Sequence, residues 1–154
     1  MNLSAHFRLE EFLSPGDPVP PSEEVKELLQ DLAQDALEPL RVNLGKPIQI
    51  TSGYRSPAHN KRIGGAAGSL HTTGMAADIA IPGGLDAQVK AAAVASRILA
   101  IGGIGLYETK GIIHVDTRKR VAGRPAWWFQ KADGSYASVP PRLKTAIRNA
   151  GGAI

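Results

Sequence analysis

Two segments of this 154-residue chain each contain a histidine with an aspartate a few residues later, and these side chains could bind a metal or transfer a proton. His71 precedes Asp78 by seven residues, and Asp78 interrupts an otherwise apolar stretch. An aspartate in such a stretch is costly to bury unless it is paired, hydrogen-bonded or bound to a metal. In the second segment, residues 112–116, strand alternation places His114 and Asp116 on one face and apolar side chains on the other.

These groups match the donor set of a catalytic zinc site. Imidazole nitrogens of His71 and His114 and a carboxylate oxygen of Asp78 would leave a fourth position open for water. Zinc bound in this way lowers the pKa of the water and polarises a carbonyl group, which is the chemistry of amide hydrolysis. The same spacing is also compatible with a structural His–Asp hydrogen bond in each segment and no metal.

Amphipathic helices are expected to support this site. Ser22 is a natural N-cap for a helix whose apolar residues recur with the spacing of one buried face, and Pro39 favours an end or kink just before it. A second helix is expected from an Asp86 cap to residues 102–103, with Leu99 on its inward face. The apolar spacing of residues 143–147 predicts a short final helix.

Short strands are expected to carry the site itself. Residues 47–51 and 76–81 each read as a strand, and residues 104–107 and 112–117 read as a hairpin around 108–111. Helices and strands do not alternate strictly, so the pattern predicts an α+β fold with a small, mostly antiparallel sheet and packed helices.

Composition is typical of a globular domain, with 43% hydrophobic and 21% charged residues. We expect one domain over residues 1–154, with an N-terminal arm (1–21) that packs Phe7, Phe12 and Leu13 on the body, and a basic C-terminal extension (118–154). That extension holds eight Lys/Arg and one Asp, which could favour a polyanion or be a solvated surface. The chain has no cysteine, which excludes disulfides and thiolate metal sites.

Three motifs together resemble the zinc D-Ala-D-Ala peptidase family. Residues 69–78 fit its S-x-H-x-x-G-x-A-x-D signature, residues 50–60 (Ile-Thr-Ser-Gly-Tyr-Arg-Ser-Pro-Ala-His-Asn) are similar to its carboxypeptidase-like branch, and residues 103–116 resemble its closing hairpin. The opening residues 7–12 are similar to small phage and prophage members. The resemblance implies the fold shared with Hedgehog signalling domains and murein endopeptidases.

The resemblance also implies roles for individual residues. His71, Asp78 and His114 would be the ligands of a Zn²⁺ cofactor. Arg55 would hold a carboxylate of the substrate, a task that suits a guanidinium because it binds carboxylates bidentately and keeps its charge. Ser69 could donate a hydrogen bond to substrate, although it could equally be polar loop structure.

The proton carrier is not apparent, because this chain departs from its relatives. Many relatives have a histidine two residues before the last ligand or an acid three residues before it, where this chain has Ile112 and Gly111. Glu108 at the hairpin turn could act as the base. Asp116 could orient a ligand imidazole. An exposed or salt-bridged acid is an equally simple interpretation of each.

The sequence therefore predicts a hydrolase, a zinc metallopeptidase that cuts amide bonds in the peptidoglycan stem peptide, as a D-Ala-D-Ala carboxypeptidase or as a murein endopeptidase of the endolysin type. An inactive zinc-containing module that binds the cell wall or forms part of a phage particle is the alternative. Nucleic-acid binding through the basic extension has no recognition motif to support it.

We expect a monomer with no nucleic-acid or membrane partner. We also expect no signal peptide or transmembrane segment, and a cytoplasmic protein that reaches the cell wall after phage lysis or from a virion.

Overall fold

The computed structural model describes residues 1–154, and its first large element is helical. Helix α1 (Glu23–Asp31) begins after Ser22, whose hydroxyl accepts a hydrogen bond from the Val25 N–H. A π-helical turn (Leu32–Leu37) and helix α2 (Glu38–Leu44) follow. The expected end before Pro39 is wrong. Proline has no N–H to donate, so it is tolerated where a helix does not need that donor. Pro39 lies in the first turn of α2, directly after the π-helical turn, whose hydrogen bonds follow a different spacing.

A six-stranded sheet follows these helices. Its strands are β1 (Ile50–Ser52), β2 (Ala76–Ala80), β3 (Gly103–Tyr107), β4 (Ile112–Asp116), β5 (Ala126–Gln130) and β6 (Tyr136–Ala137). Their order is β1-β2-β4-β3-β5-β6, and every neighbouring pair is antiparallel except β3 and β5. The predicted α+β fold with a mostly antiparallel sheet is confirmed. The hairpin of β3 and β4 is also where the sequence predicts it.

Three further helices complete the chain, and one of them corrects a prediction. They are α3 (Pro57–Arg62), α4 (Gly84–Ser96) and α5 (Pro141–Asn149), the last of which confirms the predicted final helix. Helix α4 begins before Asp86 and ends well before Gly102, so Leu99 is 82% exposed instead of facing inward. Beyond its end, the Ser96 and Ile98 carbonyls accept hydrogen bonds from the Arg120 guanidinium, which satisfies groups that no longer have a helical partner. No helix of the chain has the length and apolar character needed to cross a membrane.

The two faces of the sheet have different roles. One face is apolar and buried against the helices; its residues include Ile79, Ile104, Leu106, Ile113, Val115 and Phe129. On the other face, strand pairing places Asp78 opposite His114, His114 opposite Gly105 and Gly105 opposite Trp128. The sheet therefore presents one row of side chains across four strands, and the groups expected to do chemistry lie in that row.

The N-terminal arm fastens the segment that follows β1. The Phe12 carbonyl accepts from the Tyr54 N–H at 2.7 Å, and the Asp17 carboxylate accepts from both the N–H and the hydroxyl of Ser56, at 2.7 and 2.8 Å. Gly53 permits this contact, since a Cβ there would lie 2.6 Å from the Phe12 backbone. Phe7 and Phe12 are buried as predicted, but Leu13 is 39% exposed because only its backbone pairs with the body.

Candidate metal centre

Three side chains converge at the open face of the sheet. His71 comes from a short 3₁₀ turn (Leu70–Thr72), Asp78 from β2 and His114 from β4. The His71 Nε2 atom lies 3.3 Å from His114 Nδ1 and 3.4 Å from Asp78 Oδ1, and His114 Nδ1 lies 3.0 Å from Asp78 Oδ1. The structure thus brings together the three residues that the sequence predicts as metal ligands.

When both imidazoles are neutral, their hydrogen bonds leave the two facing nitrogens without protons. His71 Nδ1 lies 2.7 Å from the Gly53 carbonyl oxygen, so this nitrogen donates and Nε2 keeps its lone pair. His114 Nε2 lies 2.9 Å from Asp116 Oδ2, so it donates and Nδ1 keeps its lone pair. Two lone pairs and a carboxylate oxygen then face one another with no donor between them. This arrangement calls for a cation.

The spacing of these atoms fits a tetrahedral zinc ion. Zn–N and Zn–O distances of about 2.0–2.2 Å give tetrahedron edges of about 3.3–3.6 Å. The three observed separations, 3.0–3.4 Å, are close to those edges. The residues present therefore fit zinc.

Without a metal, a proton would take its place. Burial of His114 disfavours its charged form, but hydrogen bonds with Asp116 and Asp78 outweigh burial and raise the pKa of this imidazole. Burial also acts against the charge of Asp78, yet the bonds from His114 and His71 hold the pKa of that carboxyl well below its usual range. A metal must therefore displace a proton from His114 over the pH range in which the raised pKa keeps it protonated.

The apparent zinc affinity is consequently expected to fall as the pH is lowered. Each displaced proton changes the affinity by about tenfold per pH unit. Competition with a chromophoric chelator between pH 8 and pH 6 measures the slope, and circular dichroism at each pH checks that the fold is intact. A zinc affinity that is independent of pH over this range would contradict the arrangement of protons described above.

A buried network holds the His114 ring from behind. Asp116 has no exposed surface, and its carboxylate also accepts from the Arg118 Nε and Nη2 atoms at 2.9 and 2.7 Å. The Arg118 guanidinium lies over the Trp128 ring, whose centroid is 4.8 Å from that of His114. Asp116, Arg118 and Trp128 therefore enclose one side of the imidazole.

Two glycines of β3 make room for this network. A Cβ at Gly103 would lie 2.3 Å from an Asp116 carboxylate oxygen, and a Cβ at Gly105 would lie 2.5 Å from Trp128 Nε1. Any other residue at these positions would displace the carboxylate or the indole that fixes the metal-ligand geometry.

A cleft of about 670 Å³ opens above the three converging residues. It lies between the loop of residues 63–70 and the ends of the two hairpins, and its charged lining residues are Arg55, Asp78, Lys110 and Arg118. Three cations therefore face one carboxylate, even before a metal adds its charge. A peptide that carries carboxylates fits this electrostatic environment.

The profile of the peptidase M15 family matches residues 17–116, about two thirds of the chain and all three converging residues. The chain belongs to the peptidase M15 family. This M15 match confirms the predicted peptidase family, whereas the carboxypeptidase-like branch and the phage or prophage endolysin type stay predictions.

Curated relatives agree with the M15 assignment. The peptidoglycan L,D-endopeptidase MepK of Escherichia coli K12 is 38% identical to this chain over 77 residues, which are 47% of the chain and 41% of MepK. The MepK of Shigella flexneri matches to the same extent. The match thus spans about two fifths of the length of these relatives.

The predicted substrate-binding residues both line the cleft of this M15 chain. Arg55 is half-buried and lines the cleft, and its Nε atom is buried without a hydrogen-bond partner in the protein. The Ser69 hydroxyl accepts from the His71 N–H at 3.3 Å, which makes Ser69 a cap for the turn that carries the first ligand.

The two acids predicted to act in catalysis are placed differently. Asp116 contacts His114 from the side away from Asp78, as expected of a residue that orients the ring. Glu108 is exposed, does not line the cleft, and accepts a hydrogen bond from the Ala132 N–H at 2.7 Å. The geometry of the hairpin predicted that Glu108 would lie near the metal face. The turn instead directs its carboxylate toward the connection between β5 and β6.

Trp128 and Tyr107 are among the cleft residues that the sequence did not place at the site; residues 127–129 suggested only stacking on glycan sugars or an anchor in the core or at an edge. Trp128 and Tyr107 lie on the open face because they alternate with buried residues along β5 and β3. Alternation in residues 103–107 could have placed Tyr107 on the same face as the glycines. The position of Trp128 depends on the parallel pairing of β5 with β3, which no local pattern reports.

Proposed function

We propose that this chain is a zinc peptidase that hydrolyses amide bonds in the peptidoglycan stem peptide. The observation that carries the proposal is the convergence of one potential ligand atom from each of His71, Asp78 and His114 at 3.0–3.4 Å. Membership of the M15 family, the peptidoglycan endopeptidase among its relatives and the cationic cleft support the substrate class.

The chemistry is divided between the metal and the side chains around it. Bound zinc would supply an activated water and polarise the scissile carbonyl. Asp116 keeps the His114 ring oriented so that Nδ1 faces the metal position, as outer-shell carboxylates do at zinc sites. Arg55 would fix a substrate carboxylate and so hold the peptide across the metal. Ser69 holds the His71 turn, and we keep it as a candidate contact to the substrate.

Glu108 remains our proposal for the proton carrier. Its side chain is exposed but lies outside the cleft, so this role requires it to release the Ala132 N–H and turn toward the metal group. It would then take a proton from the attacking water and deliver it to the leaving amine. Asp116 is fully engaged by His114 and Arg118, so we assign it the orienting role only.

Digestion of purified peptidoglycan tests the proposed activity. The protein is incubated with murein sacculi, with and without zinc and with a chelator, and the products are identified by mass spectrometry. We expect zinc-dependent release of defined fragments, and the new termini will distinguish a carboxypeptidase from an endopeptidase. Activity that survives complete metal removal would contradict the proposal.

One observation favours an inactive wall-binding module as the second candidate. Asp78 is the only carboxylate that lines the cleft, and it belongs to the metal group. If no acidic side chain reaches the attacking water, the protein would bind sacculi and zinc but would release no new amine or carboxyl ends. The digestion experiment separates the two functions, since it measures both sedimentation with sacculi and product formation.

Arg55 gives a specific prediction for substrate recognition. Arg55→Gln is expected to raise KM by about 10- to 100-fold for a peptide with a free carboxylate beside the cleaved bond, because a hydrogen bond to a charged group contributes about 1.5–3 kcal/mol. The same peptide with that carboxylate amidated should respond little to the substitution. Arg62→Gln, on the exposed end of α3, is the matched control. Equal losses on both peptides would contradict carboxylate binding by Arg55.

The setting of the activity follows from the same proposal. We propose one domain over residues 1–154 that works as a monomer, with no nucleic-acid or membrane partner. We also propose a phage or prophage endolysin made in the cytoplasm that reaches peptidoglycan after release. Similarity of residues 7–12 to small phage members supports this setting. The segment expected as a basic extension contributes β5, β6 and α5.

A further inference from the structure

Tyr107 occupies a position in the cleft that none of the roles above explains. It ends β3 on the open face of the sheet, two residues beyond Gly105, which lies opposite His114. Tyr107 lines the cleft together with His71, Asp78 and His114, yet only 7% of its surface is exposed. A large polar side chain is thus held against the inner wall of the cleft, one step along the strand from the metal row.

The backbone of Tyr107 is fixed by a buried residue of α4. The Gln88 side chain is 2% exposed; its Oε1 accepts from the Tyr107 N–H at 2.9 Å, and its Nε2 donates to the Tyr107 carbonyl at 2.8 Å. The same Nε2 donates to the Lys110 carbonyl at 2.8 Å, so Gln88 also anchors the hairpin turn. The backbone that carries the Tyr107 ring is therefore fixed before any substrate enters, and the burial of the residue limits where the ring can go.

The phenol has a proton to give and no acceptor for it in the protein. The hydrogen bonds of Tyr107 are made by its backbone. Trp128 also lines the cleft, and its indole N–H is a donor that cannot accept the phenol proton.

Tyr107 lines the same cleft as the metal group and Arg55. Burial, and then the negative charge of Asp78, raise the pKa of Tyr107, while the Arg55 guanidinium acts in the opposite direction. Both the metal group and the proposed carboxylate-binding residue are thus close enough to influence this phenol. The net effect keeps it protonated at neutral pH.

We propose that Tyr107 is a catalytic residue whose hydroxyl donates a hydrogen bond to the carbonyl oxygen of the scissile amide as negative charge develops there. The inference rests on the proposed peptidase function. The phenol keeps its proton throughout, so the step forms and breaks no covalent bond. A fixed donor of this kind needs no reorganisation during the reaction, and its removal elsewhere costs about 10²- to 10³-fold in kcat.

Tyr107→Phe tests the inference because it removes the hydroxyl and keeps the ring. We expect kcat to fall by about 10²- to 10³-fold, with KM and zinc content close to those of the unmodified protein. Affinity for a stem-peptide phosphinate, whose tetrahedral PO₂⁻ replaces the scissile amide, should fall by a similar factor. Tyr54→Phe is the matched control, since Tyr54 is 5% exposed but does not line the cleft.

The possible results separate this inference from the proposed function. Unchanged kcat and unchanged phosphinate affinity in Tyr107→Phe would overturn the role of the hydroxyl. A loss of zinc or of folding in Tyr107→Phe, but not in Tyr54→Phe, would also overturn it by showing a structural role. If the unmodified protein cuts no peptide, the proposed function fails, but phosphinate binding measured by calorimetry still decides whether Tyr107 binds the tetrahedral oxygen.

Discussion

Replacement of His71 by alanine is expected to abolish both zinc binding and hydrolysis of peptidoglycan peptides. The substitution removes one of three protein ligands, and the two that remain cannot hold zinc in the geometry of a catalytic site. The 3₁₀ turn that carries His71 is capped by Ser69, so the fold should persist even though the bond from the imidazole to the Gly53 carbonyl is lost. Metal analysis of the purified protein and mass spectrometry of digested sacculi measure the two losses.

His6→Ala is the matched control for this experiment. His6 lies in the N-terminal arm, where its ring contacts Glu38, and it is remote from the sheet face that carries the cleft. We expect His6→Ala to bind one zinc ion and to cut the same bonds as the unmodified protein. Stoichiometric zinc in His71→Ala would show that the metal binds elsewhere and would remove the basis for the proposed function.

Asp116→Asn should weaken zinc binding without removing a ligand. Loss of the carboxylate that accepts from His114 Nε2 frees the ring to rotate and lowers its basicity, which at other zinc sites costs about 10- to 100-fold in metal affinity or activity. Competition with a chromophoric chelator measures the affinity. Asp35→Asn, an exposed aspartate of the π-helical turn, is the control and should leave the affinity unchanged. An unaltered zinc affinity in Asp116→Asn would contradict the orienting role.

The same substitution has a predictable effect on acid stability. Burial opposes the charge of Asp116, but hydrogen bonds from His114 and Arg118 outweigh it and lower its pKa to about 2. An aspartate with a lowered pKa stabilises the folded state above its unfolded pKa of about 3.9, and this contribution is lost as the pH falls toward the folded value. Acid unfolding of Asp116→Asn, followed by circular dichroism between pH 4 and pH 2, should therefore be less steep than that of the unmodified protein.

Local patterns predicted much of this structure, because the side chains that do chemistry lie on regular elements. Alternation in residues 112–116 placed His114 and Asp116 on one face of β4, and the structure has them on that face. The predicted α+β class follows from the same short periodic segments. An aspartate inside an apolar strand indicated that Asp78 needs a partner, and it lies within 3.4 Å of both histidines.

The remaining features depend on contacts between distant segments. Strand β5 pairs in parallel with β3, and this pairing brings Trp128 beside His114. Nothing near Trp128 in the sequence specifies which strand it joins. The direction of Glu108 depends in the same way on the Ala132 N–H, 24 residues away. The sequence alone therefore could not predict the role of a side chain whose position depends on a specific partner far away in the chain.

The N-terminal arm holds in place the segment that carries two residues of the site. Gly53, whose carbonyl accepts from the His71 ring, and Arg55 both belong to the segment that Phe12 and Asp17 fasten. Phe7 and Phe12 of the arm are buried in the core, so release of the arm would expose apolar surface as well as break these hydrogen bonds. Metal affinity and carboxylate binding are thus linked to the packing of the first 17 residues, and a substitution in the arm, far from the cleft, is expected to weaken both.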